Sequence, residues 1–300
     1  MQEEKFHIPA MLHEVIDYLK LAPGQLIVDA TLGTGGHALE ILKIIAPTGR
    51  LIGIDRDEDS LNVCRKRLSD FSSSLEFIHD SFVDLDQVLG NLGVDKIDGI
   101  IFDLGISTFQ LKNAQRGFSF QEEGPLDMRL DKDSYICAYD LVNNLNQSEI
   151  SDLLWSFGQE RWHNRIANLI IAERKIQPIA TTLQLADLVI RAIPHRYRRS
   201  YYRIHPATRT FQAVRIAVNR ELEIIGSAII KAVAVLKKQA RICVISFHSL
   251  EDRAVKLTFR QLKAEGLINI VTPKPLTPLF SEIEANPSSR SSKFRVAERI

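Results

Sequence analysis

Residues 28–37 read Val-Asp-Ala-Thr-Leu-Gly-Thr-Gly-Gly-His, and no other stretch constrains the chain as tightly. The apolar run Leu26, Ile27, Val28 closes on an acid, Asp29. A turn holding Gly33, Gly35 and Gly36 follows, and then Ala38, Leu39, Ile41, Leu42 and Ile45 recur at helical spacing. The pattern predicts a strand, a tight turn and a helix. Glycines in such a turn let the backbone approach a ligand that a side chain would hold away. A plain strand-turn-helix corner carries the same pattern, so the turn alone does not decide.

The segments that follow repeat the unit. Leu51-Ile52-Gly53-Ile54 ends on Asp55, and Leu75-Glu76-Phe77-Ile78 is followed by Asp80, Ser81 and Phe82. Ile97–Phe102 ends on Asp103, and Arg241–Phe247 brings Ser246, Phe247 and His248 to its end. Strands alternating with helices predict an α/β fold with a Rossmann-like open parallel sheet, where ligands bind beyond the carboxyl ends of the strands. The turn departs from a dinucleotide fingerprint, because Ala38 stands where the third glycine belongs. One acid at a strand end is ordinarily a helix cap or a solvated loop residue. Asp29, Asp55, Asp80 and Asp103 together suit a ligand with hydroxyls and cationic centres. S-adenosylmethionine (AdoMet) carries an ammonium and a sulfonium but no phosphate, so carboxylates attract it. Asp55 is placed to bind ribose hydroxyls, and Phe82 fits either an adenine face or the core.

More than a hundred residues separate the strands that end at Asp103 and Ser246, far beyond a single crossover. Residues 113–205 show helical periodicity, in segments near 140–145, 147–155, 161–175 and 182–193, the last stopped by Pro194. The second of these has Gln147 or Ser148 near its start, and the third turns Ile166, Leu169, Ile170 and Ala172 inward. The expected organisation is a discontinuous sheet domain, 1–112 and 206–300, with a small all-helical insert, 113–205, forming one wall of the cleft. Between Asp187 and Glu221 no acid occurs, while Arg191, His195, Arg196, Arg198, Arg199, Arg203 and Arg209 are interleaved with Tyr197, Tyr201 and Tyr202. Arginine grips phosphate and tyrosine stacks on unpaired bases. A solvated loop is the alternative, but arginine and aromatics together favour single-stranded nucleic acid.

With 45% apolar and 25% charged residues and a net charge of +1, the chain has the composition of a soluble globular protein. Any nucleic-acid surface must therefore be a local patch. The cysteines Cys64, Cys137 and Cys243 show neither zinc spacing nor a disulfide framework, which fits a reducing cytosol. No signal peptide, membrane span or metal site is read. The tail 273–290, with Pro275, Pro278 and Pro287, reads as an extended loop near the cleft.

Several strings are specific enough to identify relatives. They are His7-Ile-Pro-Ala-Met-Leu-His-Glu, Asp29-Ala-Thr-Leu-Gly-Thr-Gly-Gly-His, Phe102-Asp-Leu-Gly-Ile-Ser, Gln115-Arg-Gly-Phe-Ser-Phe, Gly124-Pro-Leu-Asp-Met-Arg, His205-Pro-Ala-Thr-Arg-Thr-Phe-Gln and Ser246-Phe-His-Ser-Leu-Glu-Asp-Arg. They run nearly end to end and resemble the bacterial ribosomal RNA small-subunit methyltransferase H (MraW) family. The resemblance implies an AdoMet-dependent methyltransferase acting on the exocyclic N4 of a cytidine in the decoding region of 16S ribosomal RNA, within an assembled small subunit. It implies AdoMet contacts at Gly35, Gly36, His37, Asp55, Phe82, Asp103 and Gln110. Two departures flank Gln110: Thr108-Phe109 stands where the family usually has Ser-Pro, and Lys112 where an acid or asparagine is common. The Asp/Asn-Pro-Pro-Tyr string of many amino-methylating enzymes is replaced by Asp103-Leu-Gly-Ile.

Asp103 is the first candidate to accept a hydrogen from the target amine, with Ser246 and His248 next. His248 also reads as a helix-start residue before Leu250-Glu251-Asp252. The expected RNA contacts are Arg196, Arg198, Arg199, Arg203, Arg209 and Tyr201. Three other readings stay open from residues alone: a methyltransferase with another nucleic-acid substrate, a non-catalytic RNA-binding factor that keeps AdoMet as a structural ligand, and a nicotinamide dehydrogenase. The missing glycine and Asp29 argue against the last. Monomer and homodimer are equally compatible with the sequence.

Overall fold

A computed structural model describes residues 8–198 and 205–300. Among them the chain divides into two compact units, Met1–Gly105 with Leu222–Ile300, and Ile106–Glu221.

The first unit opens with α1 (Leu12–Leu19) and then alternates: β1 (Leu26–Asp29), α2 (Gly36–Ile45), β2 (Arg50–Asp55), α3 (Glu58–Arg67), β3 (Leu75–His79), α4 (Leu85–Asn91), β4 (Ile97–Asp103). The second unit holds α5 (Thr108–Lys112), α6 (Ala138–Asn144), α7 (Gln147–Gly158), α8 (His163–Arg174), α9 (Thr182–Ala192), α10 (His195–Arg198) and α11 (Thr208–Asn219). The chain then returns through α12 (Glu221–Val235), β5 (Leu236–Ser246), α13 (Ser249–Ala264), β6 (Ile268–Ile270), α14 (Phe280–Ala285) and β7 (Lys293–Arg299).

The sheet order is β3-β2-β1-β4-β5-β7-β6. The first five strands pair in parallel, and β7 runs antiparallel between β5 and β6. The order reverses between β1 and β4, where Asp29 lies beside Ile101. A crevice opens beyond the strand ends at such a switch point, so Asp29 and Asp103 stand at its mouth.

Both sheet faces are buried, which explains the unbroken apolar runs. Side chains alternate across the sheet: Val28, Ile100, Ile242 and Val244 face Leu85, Val88, Ile229, Val233 and Phe259 of α4, α12 and α13. Ile27, Ile101, Cys243 and Ile245 face Val15, Leu19, Ile41, Ile45 and Leu61 of α1, α2 and α3. Truncating one of these, for example Ile101→Ala, would cost about 2–5 kcal/mol.

The second unit has its own core, built from Phe118, Leu126, Met128, Ile150, Leu154, Ile166, Ile170, Leu185, Val189, Phe211 and Val214. Its boundaries, Ile106 and Glu221, lie outside the 113–205 read from sequence. Ile106 at one end and Phe211 and Val214 at the other pack in this core, so α5 and α11 go with it. The α8 reading also shifts. Ile166 and Ile170 are buried with Ala167, whereas Ala172 is exposed. Helix α7 starts at Gln147, and its N-cap is Asn146, in a reciprocal capping box with Glu149.

The string 124–129 is a structural clasp of this unit. Arg129 grips Asp127 in a two-pronged pair, Nε to Oδ1 at 2.9 Å and Nη2 to Oδ2 at 2.7 Å, which holds the Asp127 carboxyl below its ordinary pKa range. A Cβ on Gly124 would lie 1.9 Å from the Ala114 carbonyl oxygen, so only glycine fits. The segment 273–290, expected as an extended loop, contains α14 and most of a 3-10 turn at Pro287–Ser291. Leu279 at the N-cap and Pro287 at the first position of the turn mark where these short pieces begin.

Candidate active site

The site is built at the carboxyl ends of β1, β2 and β4. Asp55, at the tip of β2, ties down the glycine turn. Its Oδ2 accepts the Gly33 N–H at 2.6 Å, and its Oδ1 accepts the Asp57 N–H at 2.9 Å. Burial raises the Asp55 carboxyl to about 6 despite these two bonds. Asp29 is almost wholly enclosed and accepts the Thr31 N–H at 3.1 Å. Burial, with a smaller contribution from repulsion by Asp55, pushes its carboxyl up to about 7.

Asp103 is the third member. Its backbone N–H donates to Thr31 Oγ1 at 2.6 Å, which links the ends of β4 and β1. Its Oδ1 is a buried oxygen with no hydrogen-bond partner among the described residues. Burial first, then Asp29 and Glu251, drive the Asp103 carboxyl well above its ordinary range. Asp29 repels both Asp55 and Asp103, and such a group of carboxylates at the strand ends favours a cationic guest. Asp80, the other acid of the strand-end series, is exposed and accepts the Ser81 N–H at 2.7 Å, outside this group.

His37, in the first turn of α2, is buried and fixed by the carbonyl of Ala10 at 2.9 Å from Nε2. A carbonyl oxygen only accepts, so Nε2 carries the proton. That leaves Nδ1 facing Asp103 Oδ2 at 3.6 Å. Phe82 packs edge-on against Phe102, with ring centres 5.6 Å apart, and its ring is partly open. The Arg56 guanidinium lies 5.9 Å from the Phe82 ring centre.

Two glycines of the turn are also crowded by their neighbours in the fold. Gly35 has φ of 78°, and a Cβ there would meet Cys64 Sγ at 2.5 Å and Leu68 Cδ1 at 2.8 Å. A Cβ on Gly36 would meet Pro9 at 3.2 Å. Helix α3 and the left-handed backbone thus require glycine at position 35, while at position 36 a side chain would press on Pro9. Gln110 belongs to the second unit, where it closes a capping box with Ser107 at the start of α5.

Ser246 and His248 have structural duties. Ser246 is buried, and its hydroxyl donates to the Lys293 carbonyl at 3.4 Å, toward β7. His248 is the N-cap of α13 and accepts the Glu251 N–H on Nδ1 at 3.3 Å. Its proton therefore sits on Nε2, 3.2 Å from Glu251 Oε1 but without a hydrogen-bond partner among the described residues. Glu251 in turn accepts the Phe247 N–H at 2.8 Å. Sequence reasoning missed Thr31 and Glu251 as site residues. Glu251 is signalled only by its place three residues after the cap, which reads as helix capping.

Of the expected RNA contacts, Arg199, Tyr201 and Arg203 lie outside the described residues, and Arg196 and Arg198 fall in α10. Arg209 donates to the Gln159 carbonyl at 3.1 Å. The partly buried Tyr197 faces the Arg161 guanidinium at 5.2 Å from its ring centre.

The profile of the MraW methylase family matches residues 4–300. The chain belongs to that family. It is 45% identical to a protein of Halothermothrix orenii named ribosomal RNA small subunit methyltransferase H, over 98% of each chain. A protein of the same name from Sulfurihydrogenibium is 46% identical, over 98% of this chain and 99% of its own. Family membership makes this chain an AdoMet-dependent methyltransferase, and the three crowded carboxylates with the orphaned Asp103 oxygen fit that cationic cofactor.

Proposed function

We propose that this methyltransferase acts on the exocyclic N4 of a cytidine in the decoding region of 16S ribosomal RNA. The relatives carry small-subunit ribosomal RNA in their names. The observation that supports the chemistry best is the Asp103 Oδ1 atom, buried, without a hydrogen-bond partner among the described residues, at the sheet's switch point.

AdoMet held by Gly35, Gly36, His37, Asp55, Phe82 and Asp103 would supply an electrophilic methyl group on sulfur. The cytosine amine is a poor nucleophile, because its lone pair is conjugated into the ring. Asp103 accepts one of its hydrogens and returns electron density to nitrogen. That bond strengthens as positive charge develops in the transition state, so it lowers the barrier rather than merely binding substrate. The raised pKa of Asp103 suits it to take the proton that the methylated amine then loses. His37 lines the other side of the carboxylate, and most of the remaining rate comes from alignment. Ser246 and His248 act through the backbone they fix rather than on the base.

The target base is splayed out of the RNA to reach such a pocket. The segment with Arg196, Arg198, Arg199, Tyr201, Arg203 and Arg209 grips the flanking phosphates and an unpaired base. The substrate is the assembled small subunit, and the site of action is the cytoplasm. Among the described residues no helix is long and apolar enough to cross a membrane.

The test is to incubate the protein with methyl-labelled AdoMet and small subunits from cells lacking this enzyme, then digest the RNA. Label in N4-methylcytidine is the expected result. Label on another nucleoside overturns the substrate, and no transfer overturns the reading.

A further inference from the structure

Helix α13 leaves β5 at the tip that lies beside the end of β4, where Asp103 pairs with Ile245. Its inward face is Glu251, Val255, Thr258, Phe259 and Leu262. Its outward face carries Arg253, Lys256, Arg260 and Lys263, of which Lys256 is half-buried and the rest exposed. At 100° per residue the four fall within an arc of roughly 80°, and they extend over about 15 Å of helix. Among the described residues none of the four makes an ion pair or side-chain hydrogen bond.

The helix itself gains little from this arrangement. Arg253 and Lys256, Lys256 and Arg260, and Arg260 and Lys263 are like-charged neighbours at i,i+3 or i,i+4 spacing, which destabilises an isolated helix. Only Lys263 sits in the last turn, where the helix dipole favours a cation. Asp252 stands one turn before Lys256 but is bonded to Arg295 at 2.7 Å, with Lys293 at 3.5 Å. Glu265, beyond the helix end, accepts the Gln261 amide at 2.9 Å. A merely solvated face interleaves acids with its bases, and this one does not.

We propose that the outer face of α13 (Arg253, Lys256, Arg260 and Lys263) is a docking track for the phosphate backbone of the RNA substrate, leading away from the methyl-transfer pocket. Side chains one turn apart stand about 5–6 Å from one another, which matches a run of successive phosphates. Half-exposed Leu257 lies among them and offers an apolar contact to a sugar or base. The proposal rests on the RNA reading above and adds a surface on the sheet unit to the arginine segment 196–209.

The test compares the wild-type protein, the quadruple variant R253Q/K256Q/R260Q/K263Q and a control, K66Q/K238Q, that removes exposed cations elsewhere on the same unit. Binding to fluorescein-labelled single-stranded RNA and to small subunits is titrated against salt. The track predicts that the quadruple variant binds RNA roughly tenfold or more weakly at low salt and that its log–log salt slope flattens by about 3, at about 0.7 per phosphate contact. AdoMet affinity and the melting temperature stay at wild type, which shows an intact fold, and the control keeps the wild-type slope. An unchanged slope in the quadruple variant overturns the track. So does weakened binding to subunits with free RNA unaffected, which would assign the face to a ribosomal protein. All these outcomes compare variants with a wild type that binds RNA, so they stay separate from failure of methyl transfer itself.

Discussion

Asp103 Oδ2 stands 3.6 Å from His37 Nδ1, while the other nitrogen of that ring is anchored on the Ala10 carbonyl at 2.9 Å. The N-terminal segment, the first turn of α2 and the end of β4 thereby meet at one carboxylate. The other oxygen of Asp103 has no hydrogen-bond partner among the described residues.

Replacing Asp103 separates folding from turnover. Asp103→Asn keeps the shape and removes a carboxylate that burial and its neighbours disfavour, so the melting temperature should hold or rise. Turnover at saturating AdoMet should fall by roughly 2–4 orders of magnitude, the scale of a lost positioned acceptor. Steady-state kinetics beside thermal denaturation checks both. A variant with near wild-type kcat contradicts the assignment.

The buried carboxyls also set how stability changes with pH. Asp29 and Asp55 have folded-state values of about 7 and about 6, above their ordinary 3.8. The folded state therefore holds more protons than the unfolded state between those limits. Their contribution is full below pH 3.8 and is lost as pH rises through 6 and 7. Every tenfold difference in proton affinity between the folded and unfolded states corresponds to about 1.4 kcal/mol. Denaturant titrations of the ligand-free protein should show these groups lowering stability from pH 5 to pH 8. In Asp29→Asn that slope should shrink, and an unchanged slope would count against the burial of Asp29.

Asp55 supports the turn and, on the proposed reading, the cofactor. Asp55→Ala frees the Gly33 and Asp57 N–H groups, so AdoMet affinity should drop by roughly 10- to 100-fold, about 1.4–2.8 kcal/mol. Asp55→Asn should recover part of this, because the amide oxygen still accepts one N–H. Equal losses in the two variants would show that only the charge matters.

Gly35→Ala should destabilise the fold by about 1–3 kcal/mol, since the new methyl meets Cys64 and Leu68 and the backbone is left-handed there. Cys64→Ala combined with Gly35→Ala relieves the sulfur contact and should restore part of the loss. No recovery in the double variant would place the strain in the backbone and the Leu68 contact. Chemical denaturation measures each step.

The strand-turn-helix at 26–45 and the acids closing β1, β2 and β4 were legible because apolar period and chain punctuation are local signals. Strands β6 and β7 were not. Ile268–Ile270 is too short to show a period, and β7 hides Phe294 and Val296 among Lys293, Arg295, Glu298 and Arg299. Arg295 sits in that run because Asp252 on α13 receives it, a pairing across 43 residues. The site was legible in its strand-end acids and in its resemblance to a family. It was not legible in its use of them. Asp80 and Asp103 look alike in sequence, and only tertiary packing leaves one exposed and encloses an oxygen of the other. Gly35 illustrates the same limit, since the neighbour that demands glycine is Cys64, 29 positions along the chain.

The central claim is that this cluster of carboxylates receives a positively charged methyl donor, and titration calorimetry tests it most directly. Measured near pH 6.5 in buffers of different ionisation enthalpy, AdoMet should bind with release of protons, because a cation lowers the raised carboxyl pKa values. S-adenosylhomocysteine, which lacks the sulfonium charge, should bind with less release. A protein that binds neither, or binds both with no proton exchange, would contradict the account.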